Sequence, residues 1–211
     1  MRILIIGASQ GTGALAVQEA VNRGHAVTAF ARNPQRLVLE SSNLTRVSGN
    51  FHELESLRSA IPGHDAVVVT ASATSLRTFK ENPNYFSSGT ENAIVAMKEF
   101  GVRRLVVLSA LGVGESVQLA NFVLKALVIN WLLKIPFQDH ERQEQLVKGS
   151  GLDWVIARPS RLTNGPARKQ YEKRVAIEPV PSMISRADVA GFLIDACESQ
   201  QWVGKAVQLG G

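Results

Sequence analysis

Cysteine is almost absent from this sequence, because Cys197 is the only one. A single cysteine excludes an internal disulfide, and the simplest setting for such a chain is the reducing cytoplasm. No histidine or basic cluster stands beside Cys197, so we interpret it as a buried helix residue and not as a reactive thiol. The four histidines are scattered and Cys197 has no partner at a ligand spacing, so the sequence indicates no metal site.

Long apolar runs are also lacking. Arg2 is followed by only four strongly apolar residues, which do not make a secretory signal. The most apolar stretch spans residues 121–137. It is interrupted by Lys125, Asn130 and Lys134 and falls short of the roughly 20 apolar residues that a membrane-spanning helix needs. We therefore expect no stable membrane insertion, and we interpret this stretch as a helix over an apolar pocket or against a neighbour, with a membrane-surface role as the alternative.

Basic residues outnumber acidic ones by 23 to 18, which gives a net charge of +5. They are spread along the chain, with few aromatic residues among them and no recognised nucleic-acid motif, so we expect no nucleic-acid partner. The excess charge either belongs to a solvated surface or attracts an anionic cofactor or substrate. We expect the chain to be a monomer.

Short β-rich runs alternate with helical patterns, and most runs are continuously apolar, as in strands buried on both faces of a parallel sheet. The predicted strands are Ile3–Ile6, Ala26–Ala31, Thr45–Ser48, Ala66–Thr70, Arg104–Ser109, Trp154–Arg158 and Ala206–Leu209. The predicted helices are Ala14–Arg23, Pro34–Leu39, Glu53–Ala60, Gly89–Phe100, Gln138–Lys148 and Arg186–Glu198. The sequence thus predicts an α/β fold, with residues 1–211 forming one Rossmann-like NAD(P)-binding domain. Its doubly wound parallel sheet carries helices on both faces, and residues 159–211 complete the substrate side.

A glycine-rich turn, GASQGTG, follows the first strand and opens the first helix. Such a turn lets the backbone approach a pyrophosphate, and the helix N-terminus offers free amides and a positive dipole end. The residues concerned are Gly7, Ser9, Gln10, Gly11, Thr12 and Gly13. Because the turn lies in the first strand–helix–strand unit, we interpret it as a dinucleotide-binding loop. A plain strand–helix turn does not need three glycines in seven residues.

The end of the second strand indicates which dinucleotide is bound. NAD-binding folds usually have Asp or Glu there to bind the ribose 2′-hydroxyl. This chain has no acid in that segment and instead carries Arg32, with Arg36 four residues later. Two guanidinium groups suit a 2′-phosphate, which an acid would repel, so we predict NADP(H). The alternative, two solvated arginines, leaves the missing acid unexplained.

Further cofactor contacts are expected after the third and fourth strands. The position of Asn50 commonly faces the adenine in this fold, and Phe51 can pack against the ring. The small residues expected to pass along the cofactor are Thr70, Ala71, Ser72 and Ala73.

The chain resembles the extended-atypical branch of the short-chain dehydrogenase/reductase superfamily along essentially its whole length. Within that branch it is most similar to the NADPH-dependent flavin and biliverdin reductases. The motifs that carry the resemblance are IIGASQGTG, ARNPQRL, HDAVVVTAS, GTENAIVAMKEFGVRRLVVLSA, DHERQEQLVKGSGLDWVIARP and MISRADVAGFLIDAC. Many atypical members share the patterns SGL-x-x-x-x-x-x-P and I-S-x-x-D-x-A within the last two stretches, whereas the DHxR at Asp139–Arg142 is a narrower pointer to the flavin and biliverdin reductases.

Three departures from the family pattern stand out. The middle glycine is shifted, so that the loop reads G-x-x-x-G-x-G with Gln10 before Gly11. This shift is expected to alter which loop amides meet the phosphates. Asn50 replaces the usual Asp, and Arg161 stands where flavin and biliverdin reductases have His.

The alcohol chemistry of the superfamily needs a Tyr with a Lys four residues later. Gly89 follows Tyr85 at that spacing and Val175 follows Tyr171, so the pair is absent. A ketone reductase of the usual mechanism is therefore not expected. Flavins and bilins accept hydride into a conjugated system without forming a strongly basic alkoxide, so a site that only holds two rings together can still reduce them.

The resemblance implies roles for several residues on the substrate side. Ser109 ends the fifth strand, where it is expected to donate a hydrogen bond to the carboxamide, the bilin or the flavin; a structural role is the alternative. His140 is expected to contact the substrate or the nicotinamide, and a structural role is again the alternative. The residues expected to wall the nicotinamide are Pro159 and Ser160, and those expected to contact substrate are Leu111, His140, Arg161 and Arg174.

The basic stretch from Arg161 to Arg174 either binds bilin propionates or the FMN phosphate, or forms a solvated loop. Three functions follow from these observations. The first is an NADPH-dependent reductase of flavins (FMN, FAD, riboflavin) and bilins, in which Ser109 and His140 assist. The second is a non-catalytic NADP(H)-binding sensor or assembly factor, and the third is a reductase or isomerase of another small molecule.

Overall fold

The computed structural model describes residues 1–72, 76–119 and 133–211. Most of the apolar stretch at 121–137 lies outside the described residues, as does Ala73, so the predictions for them stay predictions. Within the described ranges, no helix has both the length and the apolar character needed to cross a membrane.

The described strands form one large sheet and one small sheet. The strands of the large sheet are β1 (Arg2–Ile6), β2 (Ala26–Ala31), β3 (Leu44–Ser48), β4 (Ala66–Val69), β5 (Arg104–Leu108), β6 (Asp153–Pro159), β8 (Glu172–Arg174) and β10 (Lys205–Gly210). Their order in the sheet is β3-β2-β1-β4-β5-β6-β10-β8, and only β8 runs antiparallel to its neighbour. The small parallel sheet pairs β7 (Arg161–Thr163) with β9 (Met183–Ser185).

Helices cover both faces of the large sheet. They are α1 (Gly11–Asn22), α2 (Leu54–Ala60), α3 (Leu76–Glu81), α4 (Tyr85–Glu99), α5 (Lys134–Lys148) and α6 (Arg186–Glu198). Alternate residues of β1 divide the core, because Ile3 and Ile5 face α1 and α6 while Leu4 and Ile6 face α2, α4 and α5. The predicted doubly wound α/β fold is therefore confirmed.

Several local predictions were wrong. The predicted helix Pro34–Leu39 is only a 3-10 turn at Pro34–Arg36. Leu37 leaves it in an extended conformation, with φ −75° and ψ 106°, and buries its side chain in the core. The helix predicted from Gly89 begins instead at Tyr85. Helix α3 and the short strands β7, β8 and β9 are absent from the prediction, because three-residue strands and a one-to-two-turn helix have too little periodicity to detect.

The early start of α4 has a specific cause. Asp139 of α5 is fully buried and accepts hydrogen bonds from the main-chain N–H of Phe86 at 2.6 Å and of Ser87 at 3.2 Å. Its carboxylate also accepts a bond from Ser87 Oγ at 2.6 Å. A carboxylate at a helix N-terminus satisfies free amides and complements the dipole. The DHxR segment thus fixes α5 against the first turn of α4, and Arg142 adds a bond to the Pro83 carbonyl at 2.8 Å.

This contact yields a stability prediction. Replacing Asp139 with Ala leaves the buried amides of Phe86 and Ser87 without a partner, so we expect the free energy of unfolding to fall by roughly 2–4 kcal/mol. Denaturant unfolding measures the change. Glu141→Ala, at an exposed position of the same helix, is the matched control and should change stability by less than about 0.5 kcal/mol. Equal losses in the two variants would contradict the capping role.

Candidate functional site

The glycine-rich loop takes the backbone from β1 into α1 with little space around it. Gly7 has φ +85°, and a Cβ built on it would lie 2.7 Å from the main-chain nitrogen of Ala71. Gly13 has no room for a side chain either, because its Cβ would lie 2.3 Å from the Gly7 carbonyl oxygen and 2.5 Å from Thr70 Oγ1. Thr70 itself is buried and donates to the Ile6 carbonyl at 2.8 Å, which fastens β4 to β1 beneath the loop.

The shifted middle glycine is explained by its conformation. Gly11 has φ +58°, in the left-handed region, and nothing lies within 4 Å of the place of a Cβ. Gly11 therefore provides the turn, while Gly13 provides the close helix–strand contact. The first-turn amides of α1 have no partner within the helix, and the Gln10 side chain does not cap them. This helix start has the free donors that a phosphate needs.

A cavity of about 370 Å³ opens beside this loop. Nine predicted cofactor residues line it: Gly7, Ser9, Gln10, Arg32, Arg36, Asn50, Phe51, Ala71 and Ser72. The structure also brings to its wall Ile6, Phe30, Ala31, Asn33, Gly49, His52 and Tyr85. Gly11, Thr12, Gly13 and Thr70 lie around the loop and do not line the cavity.

The charge of the cavity wall has one sign. Arg32 and Arg36 are both exposed, and none of the described residues that line the cavity is Asp or Glu. In the described part of the chain, neither guanidinium forms a salt bridge. Two uncompensated cations beside a glycine-rich helix start fit a phosphorylated dinucleotide.

Asn50 and Phe51 occupy the turn after β3. Asn50 Nδ2 donates to Glu53 Oε1 at 2.9 Å, and its Oδ1 accepts the main-chain N–H of His52 at 3.1 Å. The Asn50 side chain therefore stabilises its own turn. Phe51 is buried, and α4 approaches it so closely that a Cβ on Gly89 would lie 2.2 Å from the ring.

Ser109 lies outside the cavity wall, in a buried charged network. Its Oγ donates to Glu144 Oε1 at 2.7 Å. Arg158 Nε donates to the same oxygen at 2.9 Å, and both Glu144 and Arg158 are almost fully buried. The hydroxyl hydrogen of Ser109 is thus used in the bond to Glu144. The hydroxyl can therefore only accept a hydrogen bond from a ligand, unless its bond to Glu144 breaks. The role predicted for Ser109 from the sequence was that of a donor.

Glu115 extends the network to the surface. It accepts bonds from Arg158 at 2.7 Å and from Lys148 at 2.9 Å. The hydrogen bonds from Lys148 and Arg158 lower the pKa of Glu115 to about 2. Glu115 is therefore ionised at neutral pH, and the positive charge of Arg158 is shared between two carboxylates.

His140 lies one helical turn before Glu144 on α5. Its ring stacks on Phe86 with the centroids 3.9 Å apart and an angle of 14°. Its Nδ1 lies 2.8 Å from Gln143 Oε1, and Gln143 Nε2 donates to Thr90 Oγ1 at 2.8 Å. Burial lowers the pKa of His140. With Nδ1 as the donor to Gln143, the neutral ring presents Nε2 as an acceptor.

Of the remaining predicted residues, Leu111 follows β5, Pro159 ends β6 and Ser160 follows it, while Arg161 is on β7 and Arg174 on β8. The Leu111 amide donates to the Pro159 carbonyl at 2.9 Å, and Ser160 is buried with an Oγ that has no partner among the described residues. Arg161 is exposed and contacts Met183 Sδ at 2.6 Å. Arg174 is on β8 and forms salt bridges with Glu172 at 3.0 Å and Glu178 at 3.5 Å.

Five titratable residues that shape the site were not predicted from the sequence, nor were the other wall residues Ile6, Phe30, Ala31, Asn33 and Gly49. Two line the cavity, His52 and Tyr85, and three surround Ser109, namely Glu115, Glu144 and Arg158. His52 directly follows Phe51 in the turn after β3, which was a usable signal. The Glu144–Arg158 pair joins α5 to β6, and nothing in either local pattern indicates that pairing.

Comparisons with known proteins agree with this geometry. The family model described as NAD(P)H-binding matches residues 7–200. Reductase pytE of Aspergillus terreus is 26% identical to this chain, covering 98% of it and 97% of the relative.

Solved structures show the same fold at low identity. ChuY, an anaerobillin reductase from Escherichia coli O157:H7, has a TM-score of 0.83 at 18% identity and covers 100% of this chain and 97% of its own. A short-chain dehydrogenase/reductase from Veillonella parvula in complex with NADP has a TM-score of 0.82 at 18% identity, covering 100% and 94%. Because the family model spans nearly the whole chain, as the resemblance to the atypical short-chain dehydrogenases/reductases predicts, the chain belongs to the NAD(P)H-binding family.

Proposed function

We propose that this protein is an NADPH-dependent reductase whose acceptors are flavins, bilin tetrapyrroles or both. The observation that carries the proposal is the cavity, which has a glycine-rich helix start and two uncompensated arginines, with no acid among its described lining residues. The missing Tyr–Lys pair supports a conjugated acceptor over a ketone. The NADP complex of the Veillonella protein and the bilin chemistry named for ChuY support the same choice.

NADPH supplies a hydride when it is bound, and the chain supplies binding and orientation. The Gly7–Gly13 loop and α1 would hold the pyrophosphate, and Arg32 and Arg36 the 2′-phosphate. Ser109 would accept a hydrogen bond at the carboxyl end of β5, held in place by Glu144. Leu111 and Ser160 follow β5 and β6, and Pro159 ends β6; these positions at the carboxyl ends of the strands support their predicted contacts with nicotinamide or substrate.

A non-catalytic NADP(H)-binding sensor or assembly factor is the second candidate. One observation favours it, namely that the only hydroxyl hydrogen of Ser109 is already bound to Glu144. Such a protein would bind NADPH without oxidising it in the presence of any acceptor. A cytoplasmic location and a monomeric state stay predictions.

The cofactor preference can be tested at the two arginines. Replacing both Arg32 and Arg36 with Ala removes two charge-assisted contacts, each worth about 1.5–3 kcal/mol, so the dissociation constant for NADPH should rise at least about a hundredfold. That for NADH should change less than about threefold. Fluorescence titration measures both constants, and Arg58→Ala, on α2 and away from the cavity, is the control. Equal effects on the two dinucleotides would refute the NADP(H) preference.

Turnover separates the reductase from the sensor. We expect wild-type protein to oxidise NADPH when FMN, FAD, riboflavin or biliverdin is added. The decrease in NADPH absorbance measures the rate. Ser109→Ala should lower kcat roughly tenfold while the dissociation constant for NADPH stays unchanged, since the hydroxyl orients the reacting rings. Tight NADPH binding with no turnover on any of these acceptors would favour the sensor.

The basic residues on the substrate side predict a preference for anionic acceptors. Removing the charges of Arg161 and Arg174 with a double Ala substitution should raise the KM for FMN by roughly tenfold, because each charge contributes to binding its phosphate. Riboflavin has the same ring and no phosphate, so it serves as the internal control. A similar rise in KM for both flavins would argue against a phosphate contact.

A further inference from the structure

One polar atom at the cavity has no partner. The His52 ring lines the cavity, and its Nε2 is buried without a hydrogen-bond partner among the described residues. A buried polar atom without a partner costs free energy, so its retention calls for an explanation. His52 is also not part of any motif that carries the family resemblance.

The hydrogen-bond partners of the His52 ring indicate which of its nitrogens carries the proton. His52 Nδ1 lies 3.3 Å from Ser88 Oγ, and the Ser88 hydroxyl donates to the Asn84 carbonyl at 2.6 Å. Since the Ser88 hydrogen is used there, Ser88 Oγ accepts the bond from His52 Nδ1–H. The neutral ring then has a lone pair at Nε2 and can only accept at that atom. Burial, and then the charge of Arg32, lower the pKa of His52, which keeps the ring neutral at pH 7.

The surroundings of His52 suit a flat base. Tyr85 lies edge-on to the ring with the centroids 4.7 Å apart, Phe51 is tilted at 5.4 Å, and both also line the cavity. Aromatic walls stack on nucleobases. With the pyrophosphate at the glycine-rich loop and the 2′-phosphate at Arg32 and Arg36, the aromatic wall is left for the adenine.

Asn50 already uses part of its hydrogen-bonding capacity within its own turn. One hydrogen of the Asn50 amide bonds Glu53 Oε1, and one lone pair of its oxygen accepts the main-chain N–H of His52. These bonds form the turn that presents His52 at the cavity. Asn50, which is expected to contact the base, thus also supports the position of His52.

We propose that His52 recognises the adenine of the dinucleotide by accepting a hydrogen bond from its 6-amino group at Nε2. The inference rests on the proposed placement of NADPH in the cavity. In NADPH the adenosine half has two donors, the 6-amino group and the ribose 3′-hydroxyl, and the aromatic wall favours the base. Nε2 is covered by its surroundings, so the contact requires a side-chain movement. Arg32 is an exposed residue of the same cavity wall and its positive charge lowers the pKa of His52, so movement of the Arg32 side chain toward the 2′-phosphate would change the surroundings of the ring.

The test compares NADPH with reduced nicotinamide hypoxanthine dinucleotide phosphate, in which a carbonyl oxygen replaces the 6-amino group. An acceptor facing that oxygen is repelled, so wild-type protein should bind NADPH about tenfold more tightly, as measured by calorimetric titration. His52→Phe keeps an aromatic ring and removes the acceptor. Its two dissociation constants should agree within about twofold, mainly because NADPH binding weakens.

Ser88→Ala is the second variant, and it leaves the His52 ring in place. Without the Ser88 oxygen the ring proton is free to move to Nε2, so the preference for NADPH should fall while thermal unfolding stays unchanged. This variant decides the question if His52→Phe does not fold. Retention of the full tenfold preference in both variants, or in Ser88→Ala alone if His52→Phe does not fold, would overturn the proposal.

Two other outcomes would also overturn it. One is wild-type protein that binds both dinucleotides equally, and the other is a folded His52→Phe that weakens both to the same extent, which indicates a structural role. Because the readout is binding, this inference and the reductase proposal can fail separately. A protein that discriminates between the two bases but reduces no acceptor would support this inference and refute the reductase function. If the wild type binds neither dinucleotide, both fall.

Discussion

The close approach of the first helix to the sheet is the constraint on which the rest of the site depends. Gly13 lies against the Gly7 carbonyl, Gly7 lies against Ala71, and neither position has space for a Cβ. This contact directs the start of α1 at the cavity, and Thr70 locks β4 to β1 below it. A methyl group at either glycine would push the helix away and disperse the amide donors that the phosphates need.

A second, charged constraint holds the substrate side. Helix α5 carries Asp139, His140 and Glu144 on its buried face, and each has a different partner. Asp139 caps α4, His140 stacks on Phe86, and Glu144 binds both Ser109 and the buried Arg158. A buried ion pair of this kind adds little net stability, because the desolvation of the two charges offsets their attraction, but removing one partner leaves a buried charge uncompensated. Helix α5 thus connects the N-terminus of α4 with the carboxyl end of β5, where the resemblance places the reaction.

Much of this arrangement was predictable from sequence, and the reasons are local. The apolar strands and the glycine loop are patterns of adjacent residues, so the sheet, the loop and the pair Arg32 and Arg36 were recognised. The turn at Pro34–Arg36 was mistaken for a helix because burial of Leu37 outweighs local propensity. The partners of Ser109 were missed because Glu144 and Arg158 meet only through tertiary packing. The lack of a partner at His52 Nε2 likewise results from tertiary packing around the ring, so no residue spacing in the sequence indicates it.

The central claim is that the cavity is built for a dinucleotide with a 2′-phosphate. Calorimetric titration of the wild-type protein with NADPH and with NADH tests it most directly. Two charge-assisted contacts to the additional phosphate should make the dissociation constant for NADPH at least about a hundredfold lower than that for NADH. Equal constants, or tighter binding of NADH, would contradict the account.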